Sequence, residues 1–415
     1  MPKTISVEAL ASSFRPGERL FLPGSAGESV AFTTALLGDP GRNRGLAVTT
    51  SAIPGINGLS LDGLGDGATV TGIFAQPSLA AASRDGRFRH LPVSYGGMLR
   101  HLAECDPFDA CLLHVAPPDA QGRCSLGAAV EFTPAAAARS GRLIAIVNPA
   151  MPRVPGAASV AWSDLALVAE SEEPLRTYAG GSDTPVTAAI AARLAALVRD
   201  GATLQVGLGK VPDLLFRTLH DRKNLKLHSG MLSDGVMGLA AAGALAPGHR
   251  PTSCVFVGSP ELYGWMEGRD DIAVVEARLT HGPAALAALS GFVAVNSALA
   301  VDLTGQVNLE TVGGVAVSGV GGAPDFARAA RLAPDSLSVI ALPSTHGRGS
   351  RIVPRLPDGI ASLARTEVDL VVTEHATVDL RGRSVRERAE ALVEAAAPEY
   401  RSELRSALQD DDAGH

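Results

Sequence analysis

Short, continuous apolar runs alternate along the chain with Ala-rich stretches whose apolar residues recur at helical spacing. Runs of that kind, bounded by glycines and polar turns, predict parallel strands buried on both faces. The first half offers "RLFLPG", "GLAVTTS", "TVTGIFA", "ACLLHVA" and "RLIAIVNP". The second offers "TLQVGLG", "LKLHSG", "SCVFVG", "IAVVEARL", "FVAVNSAL", "SLSVIALP" and "DLVVTEH". Helical patterns fall between them, among them "ESVAFTTALL", "YGGMLRHLAE", "DTPVTAAIAARLAALVRDG", "VPDLLFRTLH" and "DFARAARLA". The alternation predicts an α/β fold on largely parallel sheets.

The stretch "AESEEPLRTYAGGSDTP" is polar and rich in Gly and Pro, and reads as a linker between residues 1–175 and 185–415. A chain of 415 residues exceeds what one core usually supports, so two domains are expected. Both halves open as strand, glycine turn and helix ("RLFLPGSAGESVAFTTALL", "TLQVGLGKVPDLLFRTL"), which suggests two related α/β units. Toward the end, "SVRERAEALVEAAAPEYRSELRSAL" predicts a helix interrupted at Pro398, followed by the acidic tail "DDDAGH".

Charge and composition exclude several functions. A formal charge of −7 and only 4% aromatic residues supply neither the basic footprint nor the stacking platforms of a nucleic-acid binder. The four cysteines (Cys105, Cys111, Cys124, Cys254) form no CxxC pair and read as small buried hydrophobes, so neither disulfides nor a metal are expected. No apolar stretch reaches the ~18 residues of a membrane helix, and the N-terminus lacks a basic region followed by an apolar run. The expected location is cytoplasmic.

Candidate chemistry sits at strand ends. In "VGLGKVPD", Gly207 and Gly209 lie between a strand and a helix, where bare N–H groups can receive an anion or developing oxyanion; a plain tight turn fits equally well. Lys210 adds a positive charge to that turn. In "VAVSGVGGAPDF", Gly319, Gly321 and Gly322 precede another helix and point to a close backbone approach. Asn296, Asp302, Gln306 and Glu310 bring polar groups among apolar strands, either as a structural network or as a pocket lining. The histidines His114, His228, His281 and His346 are each isolated in sequence. Arg348 and Arg351 stand in a glycine-rich loop, where forked guanidinium donors can hold carboxylate or phosphate.

Several stretches, in order from about residue 90 to 405, together resemble the acetyl-CoA hydrolase/transferase family: "APPDAQGRCSLG", "NPAMPRVPG", "LHSGMLSDGV", "NSALAVDLTGQVNLETVGG", "SGVGGAPDFARAA", "ALPSTHGRGSRIVP" and "VDLRGRSVRERAEALVEAAAPEYRSEL". The resemblance implies two CoA-transferase-type open-sheet domains with a cleft between them, probed by coenzyme A as an acyl-CoA substrate, a small carboxylic acid acceptor, and a homodimer. It puts CoA and acyl contacts on Gly207, Leu208, Gly209, Lys210 and Val211 and on the Gly319–Gly322 loop, with Asn296 nearby. Lys210 and Arg348 are then expected to face the CoA phosphates or the acyl carboxylate.

The same resemblance locates an absence. Family members carry a nucleophilic glutamate in a His-Thr-Glu-Met-Phe-Ser-Asp-Gly segment, and its carboxylate forms an anhydride and then a glutamyl-CoA thioester. Here the segment reads His228-Ser229-Gly230-Met231-Leu232-Ser233-Asp234-Gly235, with Gly230 at the glutamate position. Lys210 and Ala323 also depart from the family pattern. Three readings follow. The first is transfer without a glutamyl intermediate, by direct attack of the acceptor or through Glu310, Glu131 or Glu28. The second is thioester hydrolysis by water activated at His228 or a nearby carboxylate. The third is a non-catalytic CoA-ester-binding protein or partner subunit.

Overall fold

The computed structural model describes residues 1–58, 60–181 and 183–412. Leu59, Ser182 in the expected linker, and the last three residues of the acidic tail lie outside them.

Two eight-stranded sheets organise the chain. The first runs Lys3–Thr4, Leu165–Glu170, Ser140–Val147, Phe108–Val115, Arg19–Leu22, Ala47–Thr50, Thr69–Gly72, Phe88–His90. All its pairings are parallel. The second runs Ala273–Val274, Thr252–Phe256, Lys226–Leu232, Thr203–Val206, Phe292–Ser297, Leu337–Ala341, Leu370–Val372, Thr377–Asp379. Only its last pairing is antiparallel. Strands such as Phe108–Val115 and Phe292–Ser297 are buried along nearly their whole length, which is why apolar residues run consecutively in them and do not alternate.

One apolar cluster passes from Phe21, Phe108 and Val115 of the first sheet to Leu204, Leu227 and Phe256 of the second. Each fully buried side chain of this size contributes about 1.5–3 kcal/mol relative to exposure. Backbone bonds join the halves directly: Phe256 N–H donates to Ala128 O at 2.8 Å and Val130 N–H to Cys254 O at 3.0 Å.

The predicted runs become strands with three instructive departures. "LKLHSG" does not end at a turn after His228; its strand continues to Leu232, so Gly230 lies inside it. "IAVVEARL" yields only Ala273–Val274, because the Ala277 N–H is taken by the Glu131 carbonyl of the other half at 2.8 Å and the chain turns into the helix Ala277–His281. The strand Leu165–Glu170 takes in the first two residues of the expected linker. Toward the C-terminus, the helices Val385–Ala395 and Arg401–Asp412 flank a short turn at Pro398–Tyr400, where proline removes the N–H that a continuous helix needs.

The helix Ala323–Leu332 is latched to the first half by its Asp325, which accepts from Ser94 Oγ at 2.8 Å and Gly96 N–H at 3.0 Å. Burial raises the pKa of this carboxyl, against the opposing effect of both bonds. Asp325→Ala leaves two part-buried donors unpaired, a cost of about 1–3 kcal/mol. Thermal unfolding of this variant should therefore begin several degrees below that of the parent, and an unchanged transition would remove the latch.

Candidate functional site

Where the two halves meet, a cavity of about 420 Å³ opens at the strand ends of the second sheet. Its wall takes Gly207 and Leu208 from one loop, Gly230 and Met231 from the Lys226–Leu232 strand, and Asn296 to Leu299 from the end of the Phe292–Ser297 strand. Ser318 to Ala323 close it on another side, and Ile53, Ile56, Phe74 and Tyr95 come from the first half.

The Gly319–Gly322 loop lies against the first half too closely for side chains. A Cβ on Gly319 would sit 2.0 Å from the Ile73 carbonyl oxygen. Gly321 has φ +56°, and its carbonyl accepts the Tyr95 N–H at 3.1 Å. Gly209, at φ +139°, turns the other loop into the helix Lys210–Thr218.

His281 is the centre of the wall. A Cβ built on Gly230 would fall 2.9 Å from its Nε2, and one on Gly322 only 2.3 Å from the same atom. The imidazole therefore occupies a slot that exists because both residues are glycine. Its ring centroid is 4.4 Å from that of Tyr95 and 4.6 Å from that of Phe326, within aromatic packing range. Nδ1 lies 2.8 Å from Thr280 Oγ1. That hydroxyl also lies 3.2 Å from the Ala277 carbonyl, a second acceptor for its proton. Burial, then the neighbouring His228, push the His281 pKa down to about 3, so the ring is neutral at physiological pH.

Behind Tyr95 stands Glu131. The Tyr95 hydroxyl and Ser51 Oγ donate to its two carboxylate oxygens, each at 2.5 Å. Burial raises the Glu131 pKa to about 7, against the opposing effect of both bonds. Its backbone is left-handed at φ +42°, a conformation that costs a non-glycine residue about 1–3 kcal/mol. The carboxyl nonetheless lies behind the wall, separated from the cavity by the Tyr95 ring.

The structure divides the candidate residues. Gly207, Leu208, Gly230, Asn296, Gly319, Gly321 and Gly322 line the cavity. Gly209, Lys210, Val211 and Arg348 do not. Lys210 is exposed, with its stem beside Gly181, and Arg348 is exposed on its loop, its carbonyl accepting from the Tyr400 hydroxyl. His228 is buried beneath the wall with Nε2 on the Thr280 carbonyl at 2.9 Å. Burial also lowers its pKa. Glu310 accepts from Ser362 Oγ at 2.7 Å, and Glu28 pairs with Arg176 at 2.7 Å; neither borders the cavity. Tyr95, Gln205, His281, Ser297, Ser318 and Arg351 complete the polar lining. The sequence marks His281 only as one of four isolated histidines and Arg351 as one of two arginines in a glycine-rich loop. It marks none of the others, since each depends on which strand ends and loops the fold brings together. Among the described residues, the wall contains no Asp, Glu, Lys or Cys.

Two predictions follow from this packing. Gly230→Ala and Gly322→Ala should each destabilise the protein by about 1–3 kcal/mol through overpacking against His281, Gly322→Ala more severely, with His281→Ala suppressing both losses in thermal melts. Undiminished losses in the His281→Ala background would show that another contact sets the limit. Glu131 governs a pH effect. As pH rises, the unfolded chain gives up this proton near 4.5, while the folded chain keeps it until about 7. Its contribution to stability is therefore complete below 4.5 and lost by about 7. The melting temperature of Glu131→Gln minus that of the parent should grow across that window and level off above it; a constant difference would assign the titration elsewhere.

Comparison with known proteins places this geometry. The Acetyl-CoA hydrolase/transferase N-terminal domain matches residues 1–174, and the corresponding C-terminal domain matches residues 258–408. The chain is 33% identical to a 4-hydroxybutyrate coenzyme A transferase from Clostridium kluyveri, over 97% of this chain and 96% of that protein. Among solved structures, it is similar to RipA from Yersinia pestis (TM-score 0.89, 29% identity, 98% of this chain and 97% of the other). It is likewise similar to a 4-hydroxybutyrate CoA-transferase from Porphyromonas gingivalis (TM-score 0.79, 28% identity, 99% and 98%). With both halves matched and the relatives covered nearly end to end, the chain belongs to the acetyl-CoA hydrolase/transferase family.

Proposed function

We propose that this enzyme moves coenzyme A from an acyl-CoA to a small carboxylic acid without passing through a glutamyl-CoA intermediate. The observation that carries this reading is the wall itself: no carboxylate lines the cavity, and the direction of a Gly230 side chain is filled by His281. With no protein nucleophile in place, the acceptor carboxylate attacks the thioester carbon. The C–S bond breaks to give a mixed anhydride and CoA thiolate. The thiolate then attacks the acceptor's acyl carbon, forming the new thioester and releasing the original acid. The protein's part is positioning, together with donors for the carbonyl oxygen as it gains charge. Asn296 suits that part: its Nδ2 makes only a loose 3.4 Å contact with Gln205, so it has donor capacity left for a substrate oxygen.

The second reading is hydrolysis, favoured by His281, a neutral imidazole on the cavity wall that can hold a water beside the thioester. In both readings residues 1–175 and 185–415 act as two domains of a cytoplasmic homodimer, with the substrate between them.

Acetyl-CoA incubated with and without a second carboxylate separates the readings. New thioester formed only with acceptor supports transfer, free thiol released without acceptor supports hydrolysis, and tight binding without turnover identifies a non-catalytic binding protein. Borohydride added after acyl-CoA loading should leave activity intact, and a CoA adduct found by mass spectrometry on any glutamate overturns the proposed route. Gly230→Glu alone should acquire no ping-pong exchange, because His281 occupies the space that its side chain needs. Combining it with His281→Ala should produce borohydride-sensitive exchange.

A further inference from the structure

The lip that the first half holds over the cavity has no regular structure of its own. Ile53, Pro54 and Ile56 border the cavity from residues 51–68, a connection between the strands Ala47–Thr50 and Thr69–Gly72 with neither helix nor strand among its described residues. Turn bonds join the Ile56 and Asn57 N–H groups to the Ile53 carbonyl at 3.2 and 2.9 Å. Beyond Asn57 the chain leaves the wall, and Gly58 and Ser60 are exposed. The lip is therefore held from its two ends. At the first, Ser51 Oγ accepts from Gly24 N–H at 3.1 Å and donates to Glu131 at 2.5 Å.

The second end is Asn57, only 3% exposed, whose side-chain amide uses both its donors and both its acceptor positions. Oδ1 accepts from Ser25 N–H at 2.7 Å and from Ile53 N–H at 2.9 Å. Nδ2 donates to the Ser25 carbonyl at 3.0 Å and to Glu28 Oε2 at 2.7 Å. The two bonds to Ser25 grip a residue whose backbone is left-handed at φ +52°. Glu28 Oε2 in turn accepts from Arg176 Nε at 2.7 Å, and the Arg176 carbonyl accepts the Tyr263 hydroxyl of the second half. A single amide thus ties the lip to the Ser25 turn and, through Glu28, to the segment that joins the halves. Only one orientation of that amide keeps all four bonds, so the Ile53 backbone is fixed with it.

From this geometry we infer that Asn57 is a positioning residue, which sets Ile53, Pro54 and Ile56 against the acyl group of a bound thioester. Asn57 itself does not border the cavity and acts through the lip alone. The inference rests on the CoA-ester reading of the cavity and names what fixes the acyl seat of that site.

The test measures equilibrium binding of S-butyl-CoA, a thioether with no acyl carbon to attack, and of free CoA to the full chain and its variants, with circular dichroism confirming that each folds. The parent should prefer the alkylated ligand. Asn57→Ala should reduce that preference roughly tenfold, the effect of taking about two methylenes out of apolar contact, with free CoA affinity held within about twofold. Ile53→Ala/Ile56→Ala should reduce the preference as well, and adding Asn57→Ala to it should cost little more, since residues acting through the same contacts are not additive. Full additivity overturns the inference, as does a parent that binds both ligands equally or a preference that Asn57→Ala leaves unchanged. An equal loss of both ligands reduces Asn57 to a structural role and overturns it too. Failure of the parent to bind either ligand removes the CoA-ester reading, and the inference with it. Where Asn57→Ala does not fold, Asn57→Asp takes its place: it keeps the oxygen that accepts from Ser25 and Ile53 but faces Glu28 with a like charge. The preference should fall in that variant and recover in part when Glu28→Gln is added; no fall, or no recovery, overturns the inference.

Discussion

The site is arranged around the placement of one imidazole. Two backbones, the Gly230 strand and the Gly322 turn, approach the His281 ring so closely that neither has room for a Cβ on that side. Tyr95 and Phe326 pack against its faces, while Thr280 holds Nδ1. Gly230 has an ordinary strand conformation, so no backbone strain demands glycine there. The requirement comes from the ring alone. At Gly319 the limit is different in kind, because the opposing atom is a backbone carbonyl that cannot rotate away.

This arrangement depends on how the halves are joined. His281 ends a short helix that begins where the Ala277 N–H is captured by the Glu131 carbonyl. Glu131 also anchors Tyr95 through its carboxyl, so a single residue holds both the helix carrying the imidazole and the ring stacked on it. The left-handed backbone of Glu131 is the local cost of making both connections. Two hydrogen bonds to Glu131 thus tie the cavity wall to the packed interior, and the wall inherits its rigidity.

The fold was legible in the sequence because buried parallel strands leave continuous apolar runs. Gly319 does sit against a neighbouring backbone, whereas a Cβ at Gly207 would meet open space. The cavity was legible only in part. Glycines and Asn296 could be placed because they belong to segments that end strands. Lys210 and Arg348 could not, since both stand at a turn where one residue's rotation decides between cavity and solvent. Arg351, three positions from Arg348, faces the wall instead. His228 and His281 were indistinguishable in sequence as lone histidines. Their separation arises from a contact between residues 52 positions apart, in which the carbonyl of Thr280 meets His228 while its hydroxyl meets the adjacent His281.

The neutral wall also bears on the energetics of the proposed exchange. A carboxylate nucleophile supplied by the protein would be held in place by the fold, whereas an acceptor acid must be ordered anew in each cycle, at an entropic cost that binding has to offset. Enclosure in a largely apolar cavity offsets part of it, because hydrogen bonds and charge interactions strengthen where water is excluded. A neutral His281 does not repel the incoming thioester's neighbours by charge, and an anion entering beside it meets no fixed carboxylate among the described residues. Arg351 is the one fixed charge on the wall among the described residues, and the carboxylate that acts on it, Glu374, stands outside the wall. With glycine at position 230 and no carboxylate on the wall among the described residues, an entering acid meets neither a carboxylate nucleophile nor a like charge there.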